Sequence, residues 1–252
     1  MEYELLLDQI SEAFQEILKE DFVGLYVHGS IALKCFNWNK SDVDFIVIVK
    51  EKLSNSIKRQ LMDSVVKYNI SAPDKGLEMS IVRKEVCTKF IYPTPYELHY
   101  SNAHIDWYKK DPEDYCNRMN GEDPDLAAHF TIIKNCGITW CGQPIEEVFD
   151  TVPKNDYLDS IKKDVVYAKD NMFKDPMYFV LNLCRVLAYI KNGLVLSKEQ
   201  GGRWGMENLD SQYLNIIKYA LECYGSDDKM NISKEKVESF GDYMTKMIWR
   251  EE

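Results

Sequence analysis

The stretch that decides the fold is LYVHGSIALKCFNWNKSDVDFIVIV, residues 25–49. Residues 23–27 and 43–49 are two β-forming runs. The first ends in His28, Gly29 and Ser30, which read as a turn, with Ser30 starting a short helix over 31–36. Residues 37–41 are polar and loop-like. Asp42 and Asp44 open the second strand. Side chains alternate along a strand, so a spacing of two puts both carboxylates on one face while Val43 and Phe45 turn to the core. Two converging carboxylates repel each other unless a cation joins them. Mg²⁺ takes hard oxygen ligands and often keeps one or two protein carboxylates, with phosphate oxygens supplying the rest. The Gly29–Ser30 turn can offer backbone N–H groups and a hydroxyl to phosphate. Together these parts describe phosphoryl or nucleotidyl transfer. A lone pair of aspartates so spaced is usually no more than polar residues at a strand start; the preceding turn and a third acid change that reading.

The third acid is Glu78, in LEMSIV, residues 77–82. The run reads as a strand, with Leu77, Met79 and Ile81 alternating against Glu78, Ser80 and Val82. If it neighbours the Asp42–Asp44 strand, Glu78 reaches the metal site and can serve as general base toward an attacking hydroxyl. If it does not, Glu78 is a solvent-facing strand residue. His28 either positions the turn or packs beside it. Lys40 reads as a solvated loop charge ahead of a ligand contact.

Outward from this centre, residues 2–19 and 54–68 carry helical apolar stripes. The order helix, strand, short helix, strand, helix, strand gives a small α/β unit ending near residues 90–100. Residues 93–124 hold Pro93, Pro95, Pro112 and Pro124 among many aromatics and read as an irregular bridge. Helices follow over 126–135, 157–171, 177–191, 198–207, 212–223 and 234–250. The chain is therefore α+β. An N-terminal α/β domain with a mixed sheet and the bridge covers residues 1–152, and an all-helical bundle covers 153–252.

Composition sets outer bounds. The 252 residues carry 31 Lys plus Arg against 41 Asp plus Glu, a formal net charge of -10. That argues against gripping a nucleic-acid backbone, which needs a positive footprint. It allows small phosphorylated ligands and favours a cationic partner. No run approaches 18 apolar residues, so no membrane span is expected. The acidic start MEYELLLDQISEAF lacks the basic region of a signal peptide. The seven cysteines are scattered, with no CxxC pair. They read as free thiols in a reducing cytoplasm, and the four histidines show no zinc-site spacing.

The turn, the paired acids and the third acid resemble the nucleotidyltransferase superfamily. More closely, the chain resembles the aminoglycoside (3'')(9)-adenylyltransferases, which inactivate streptomycin and spectinomycin. DPDLAAHFTIIKNCGITWCGQPIEEVFD (123–150), LNLCRVLAYIKNGLVLSKEQGGRWGMENL (181–209) and ALECYG (220–225) carry that likeness through the second half. The resemblance implies ATP as co-substrate, Mg²⁺ as cofactor, and a cationic aminoglycoside or aminocyclitol held with ATP in a cleft between the domains of a cytoplasmic monomer. It matches Ser30 and Ser41 to triphosphate contacts, Asp42 and Asp44 to magnesium ligands, and Glu78 to the catalytic base, which also touches the drug. It matches Asp125 to an acid of the nucleotide site, Arg185 and Lys198 to phosphate contacts, and Tyr224 to a nucleotide-site aromatic. Trp107 aligns with an aromatic that packs on streptomycin, and Asp175 with an acid that binds the drug. Streptomycin-competent members carry one more acid, where this chain has Asn171 beside Asp170; that departure points to spectinomycin before streptomycin.

The residues themselves leave alternatives. Arg185 lies in the mostly apolar run YFVLNLCRVLAYI and must meet either a buried carboxylate or a ligand phosphate. Lys198 sits near a helix start, where a positive charge is not favoured by the helix dipole. Tyr224 has core packing as a rival role. A transferase acting on another small molecule or on a protein is the rival enzyme, separated by a screen of hydroxyl-bearing acceptors. A non-catalytic nucleotide-binding module would bind ATP and transfer nothing.

Overall fold

The computed structural model describes residues 2–250, the side chain of Lys169 aside. The chain divides into two compact units, one up to Pro153 and one from Lys154 onward.

The first unit is built on a five-stranded mixed sheet. Its strands are β1 (Phe22–Val27), β2 (Val43–Val49), β3 (Leu77–Arg83), β5 (Leu98–Tyr100) and β7 (Ile138–Gly142), in the order β5-β3-β2-β1-β7. A separate ribbon pairs β4 (Thr94–Tyr96) with β6 (Gly121–Asp123). β2 and β3 are parallel, and every other pairing in the main sheet is antiparallel. The central strands are buried on both faces, so their sequences are nearly continuous apolar runs. On one face Val43, Phe45, Val47, Leu77, Met79 and Ile81 pack against the helices Glu2–Leu18 and Asn55–Asn69. Each such side chain removed from water contributes about 1.5–3 kcal/mol. On the other face Ile46 and Ile48 are also fully buried. That side is closed by aromatics: Tyr26 and Phe130 each meet Phe149 edge-on, with ring centroids 4.9 and 5.0 Å away. This second face ends in the polar side chains of Asp44 and Glu78.

Two readings of the sequence change here. The irregular bridge over 93–124 contains β4, β5, β6 and the short helices Ile105–Lys110 and Pro112–Arg118. Its three-residue strands are too short to show a period, and the prolines sit where they do no harm: Pro112 at the first turn of a helix capped by Asp111, Pro95 in a two-stranded ribbon. Nor does the sheet end near residue 100, because β7 returns from residue 138 to pair with β1. Its ITWCG sequence leaves no fully buried residue, so no apolar run marks it.

The regular elements described in the second unit are all helical: the α-helices Lys154–Asp164, Ala168–Asn171, Pro176–Asn192, Lys198–Asn208, Leu214–Gly225 and Lys234–Ile248, and the 3-10 turn Ser211–Tyr213. The single helix expected over 157–171 is two. Between them Val165 and Val166 donate to carbonyls three residues back, forming tight turns in place of α-helical geometry. Adjacent β-branched residues, one buried and one exposed, give little support to a continuous helix there. Helix starts follow their caps: Ser197 accepts from the Gln200 amide, and the Gln200 side chain accepts from the Ser197 amide. None of the seven cysteines is in a disulfide. No helix of the described residues is long and apolar enough to cross a membrane.

Candidate active site

The parallel pairing of β2 and β3 places Asp44 opposite Glu78. Asp42 stands one residue before β2, on the same side as Asp44 by strand alternation. One carboxylate oxygen from each of Asp42, Asp44 and Glu78 lies within 4.8 Å of the other two, and all three residues are half-buried. The condition left open by the sequence, that the two acidic strands be neighbours, is met.

The turn after β1 closes on the same place. His28 donates its backbone N–H to the Asp44 carbonyl at 3.1 Å, tying the turn to β2. Gly29 has φ +57°, and a Cβ there would stand 1.8 Å from Asp44 Oδ2. Only glycine lets the backbone approach the carboxylate so closely in that conformation. Ser30 Oγ is buried and has no hydrogen-bond partner among the described residues. Leaving a buried hydroxyl unpaired costs roughly 1–3 kcal/mol, so this hydroxyl suits an acceptor that a ligand brings. Three hard oxygen donors at this spacing, beside an unpaired hydroxyl, fit Mg²⁺ with a phosphate group. Ser41 is spent differently: its Oγ accepts from the Asn37 amide at 3.1 Å and holds the 37–41 loop. Lys40 is half-buried in that loop.

Burial raises the Glu78 carboxyl above its ordinary range; His129 pulls it down again, and Asp42, Asp125 and Asp123 push it up. A carboxylate so placed holds a proton more readily than one in water, which suits a proton acceptor.

His129 is the residue sequence reading passed over. It lies one helical turn after Asp125, at the start of the helix Leu126–Cys136, and its Nε2 is 3.3 Å from Asp125 Oδ2. Its ring lies 4.5 Å from that of His28. Burial would lower the His129 pKa, but Asp125, Glu78 and Asp44 raise it to about 10. The neighbouring His28 is lowered by burial and by the His129 charge, so it stays neutral. The available signal was the i, i+4 spacing of Asp125 and His129 in DPDLAAH.

The other expected residues are placed as follows. In the first unit, the Trp107 indole N–H donates to Asp114 at 2.9 Å, and the Arg118 guanidinium lies over the ring at 5.4 Å. Trp107 is thus held by residues of its own unit. In the second unit, Asp175 caps the helix Pro176–Asn192 by accepting from the Tyr178 amide at 3.2 Å, and is exposed. Asn171 accepts from Lys174 Nζ at 3.0 Å and donates to the Tyr167 carbonyl. Arg185 resolves its alternatives against a buried carboxylate. Nε donates to the Leu196 carbonyl and Nη1 to Asn182 Oδ1, each at 2.9 Å. Both acceptors are neutral, so the guanidinium is oriented while its charge stays available. Lys198 is the first residue of its helix, with Nζ 4.8 Å from the centre of the Tyr178 ring. Tyr224 lies half-buried near the end of the helix Leu214–Gly225.

A Gly–Ser turn set against an acid pair, with a third acid on the adjoining strand of a mixed sheet, resembles the arrangement of the nucleotidyltransferase superfamily. The chain is similar to aminoglycoside (3'') (9) adenylyltransferases along nearly its whole length. Residues 147–247 match the family described as aminoglycoside adenylyltransferase, C-terminal domain. An aminoglycoside (3'') (9) adenylyltransferase of Klebsiella pneumoniae is 23% identical over 245 residues, covering 94% of this chain and 92% of that protein. A spectinomycin 9-adenylyltransferase of Campylobacter jejuni is 22% identical over 255 residues, covering 98% and 96%. The fold is shared with the crystal structure of the spectinomycin adenyltransferase AAD(9) of Enterococcus faecalis with ATP and spectinomycin. The TM-score is 0.82 at 20% identity, over 98% of this chain and 99% of that one.

Proposed function

We propose that this protein is an Mg²⁺-dependent O-adenylyltransferase that moves AMP from ATP to a hydroxyl of an aminocyclitol or aminoglycoside, spectinomycin first and streptomycin second. The observation that carries the reading is the convergence of Asp42, Asp44 and Glu78 beside the Gly29–Ser30 turn. The likeness to adenylyltransferases of those drugs supports the substrate class. The asparagine at 171 supports the order of the two drugs.

In this reading Asp42 and Asp44 hold Mg²⁺, which when bound neutralises phosphate charge and orients the triphosphate. Ser30 donates its unpaired hydroxyl to a phosphate oxygen, and Ser41 keeps the adjoining loop in shape. Glu78 accepts the proton of a drug hydroxyl. The freed oxygen attacks the α-phosphorus, a new P–O bond forms, and the bond to pyrophosphate breaks. Arg185 and Lys198 are assigned to the charge of the departing pyrophosphate, and Asp125 and Tyr224 to the nucleoside side. Asp175, with Trp107 and Asn171, is assigned to the drug. An exposed carboxylate such as Asp175 and a net charge of -10 suit a cationic substrate. The protein works as a cytoplasmic monomer without nucleic acid, and its product is an inactivated antibiotic, hence resistance. The test is release of pyrophosphate from ATP with Mg²⁺, with and without each drug. Release that depends on spectinomycin supports the reading, and none with either drug overturns it.

A further inference from the structure

We propose that His129 is a positioning residue for the nucleotide: held between the His28 ring and the Asp125 carboxylate, it fixes that carboxylate for ATP. The inference rests on the assignment of Asp125 to the nucleotide site made above.

The placement is costly as packing alone. His129 lies on the helix Leu126–Cys136 among Leu126, Phe130 and Ile133, all buried. An apolar side chain would fill that place without desolvating a polar ring. Instead the ring keeps 17% of its exposure, and its Nδ1 is sealed with no hydrogen-bond partner among the described residues. A buried nitrogen left unpaired needs an explanation. The partner is asymmetric: the Asp125 carboxylate keeps 52% of its exposure. An ion pair at a surface contributes little to stability. An exposed carboxylate anchored by a half-buried imidazole is instead a group held in one orientation toward solvent, as a binding site requires.

The anchor is tied to the catalytic strands. His28, on which the ring rests, precedes the Gly29–Ser30 turn and bonds the Asp44 carbonyl through its N–H. One contact chain therefore runs from β2 through His28 and His129 to Asp125. The carboxylates acting on His129 are Asp125, Glu78, Asp44 and Asp123. His28 and His99 are both neutral imidazoles at ordinary pH, His99 lowered to about 4 chiefly by burial. Of the three rings, His129 is the one whose Nε2 faces the Asp125 carboxylate, at 3.3 Å.

The test measures ATP binding, with Mg²⁺, by calorimetry alongside thermal melting. Losing a charge-assisted hydrogen bond weakens binding about tenfold, so H129L is expected to bind ATP about tenfold more weakly while its melting temperature holds or rises. H129Q keeps an N–H that reaches a carboxylate four residues back and should bind within about threefold of wild type. In a D125N background, H129L should cause no further loss, because both changes break one interaction. Independent, multiplying losses, or an H129L protein that binds ATP like wild type, would overturn the proposal. Failure of wild type to bind ATP would overturn both this inference and the reading it rests on. ATP binding without AMP transfer would sink the transferase reading alone and leave the role of His129 standing.

Discussion

Gly29→Ala is the smallest change that strikes the centre of the site. The added methyl would lie 1.8 Å from Asp44 Oδ2, 2.5 Å from its Cγ and 2.9 Å from its Cβ. Rotating the carboxylate away does not clear the overlap, because the Asp44 Cβ is itself inside any real contact distance. β2 cannot give way, since it pairs with β1 on one side and β3 on the other. The turn must move. Holding alanine at φ +57° adds roughly 1–2 kcal/mol, and overpacking adds about 1–3 kcal/mol. G29A should therefore lose about 2–5 kcal/mol by urea denaturation. Displacing the turn and Asp44 by the order of 1 Å should lower kcat/KM for AMP transfer about a hundredfold. Mn²⁺ titration, read by electron paramagnetic resonance, should show weaker divalent binding. A G29A protein with wild-type stability and Mn²⁺ affinity would refute the claim that the turn backbone rests on Asp44.

Other perturbations separate the remaining parts. E78Q removes the proton acceptor and should slow single-turnover AMP transfer by about 10²–10⁴-fold, with ATP affinity largely kept; full activity would remove Glu78 as base. R185M should weaken ATP binding about tenfold and also lower stability by about 1–3 kcal/mol, since it leaves the buried Asn182 Oδ1 without its donor; unchanged affinity would count against a phosphate role. G201A should destabilise despite alanine's helical preference, because its Cβ would lie 2.5 Å from Arg185 Cγ and 3.0 Å from the Arg185 amide; the expected loss is about 1–3 kcal/mol in urea. His99 has a pKa lowered to about 4 by burial and by neighbouring His104 and His129. The unfolded chain therefore takes up this proton first, so the stability it contributes is full above about pH 6.5 and is lost as pH falls toward 4. H99N should flatten the acid side of the stability profile, and an unaltered slope would contradict the buried neutral state.

The centre of the fold was legible because it is written in strong local signals. β2 is seven residues of β-formers, Gly29 and Ser30 punctuate the chain, and the spacing of Asp42 and Asp44 can be read without coordinates. The adjacency of β2 and β3 could only be posed as a condition, because pairing across 30-odd residues leaves no local mark. β7 escaped notice because an edge strand with no fully buried residue carries no apolar run. The 93–124 segment looked irregular because strands of three residues are shorter than the period that would reveal them. His129 was missed for another reason: its importance lies in the partners that folding brings to it, His28 from the turn after β1 and Glu78 from β3. In the second unit, helix positions were readable from their stripes and caps. What Arg185 touches was not, since its acceptors are a backbone carbonyl and an amide that no charge pattern announces.

The most direct test of the central claim is transfer of labelled AMP from ATP to spectinomycin by the purified protein with Mg²⁺, compared with D42N, D44N and E78Q. The account predicts one AMP per spectinomycin with release of pyrophosphate, and near-complete loss in all three variants. Transfer that survives the loss of these carboxylates, or no transfer from wild type to spectinomycin or streptomycin, would contradict it.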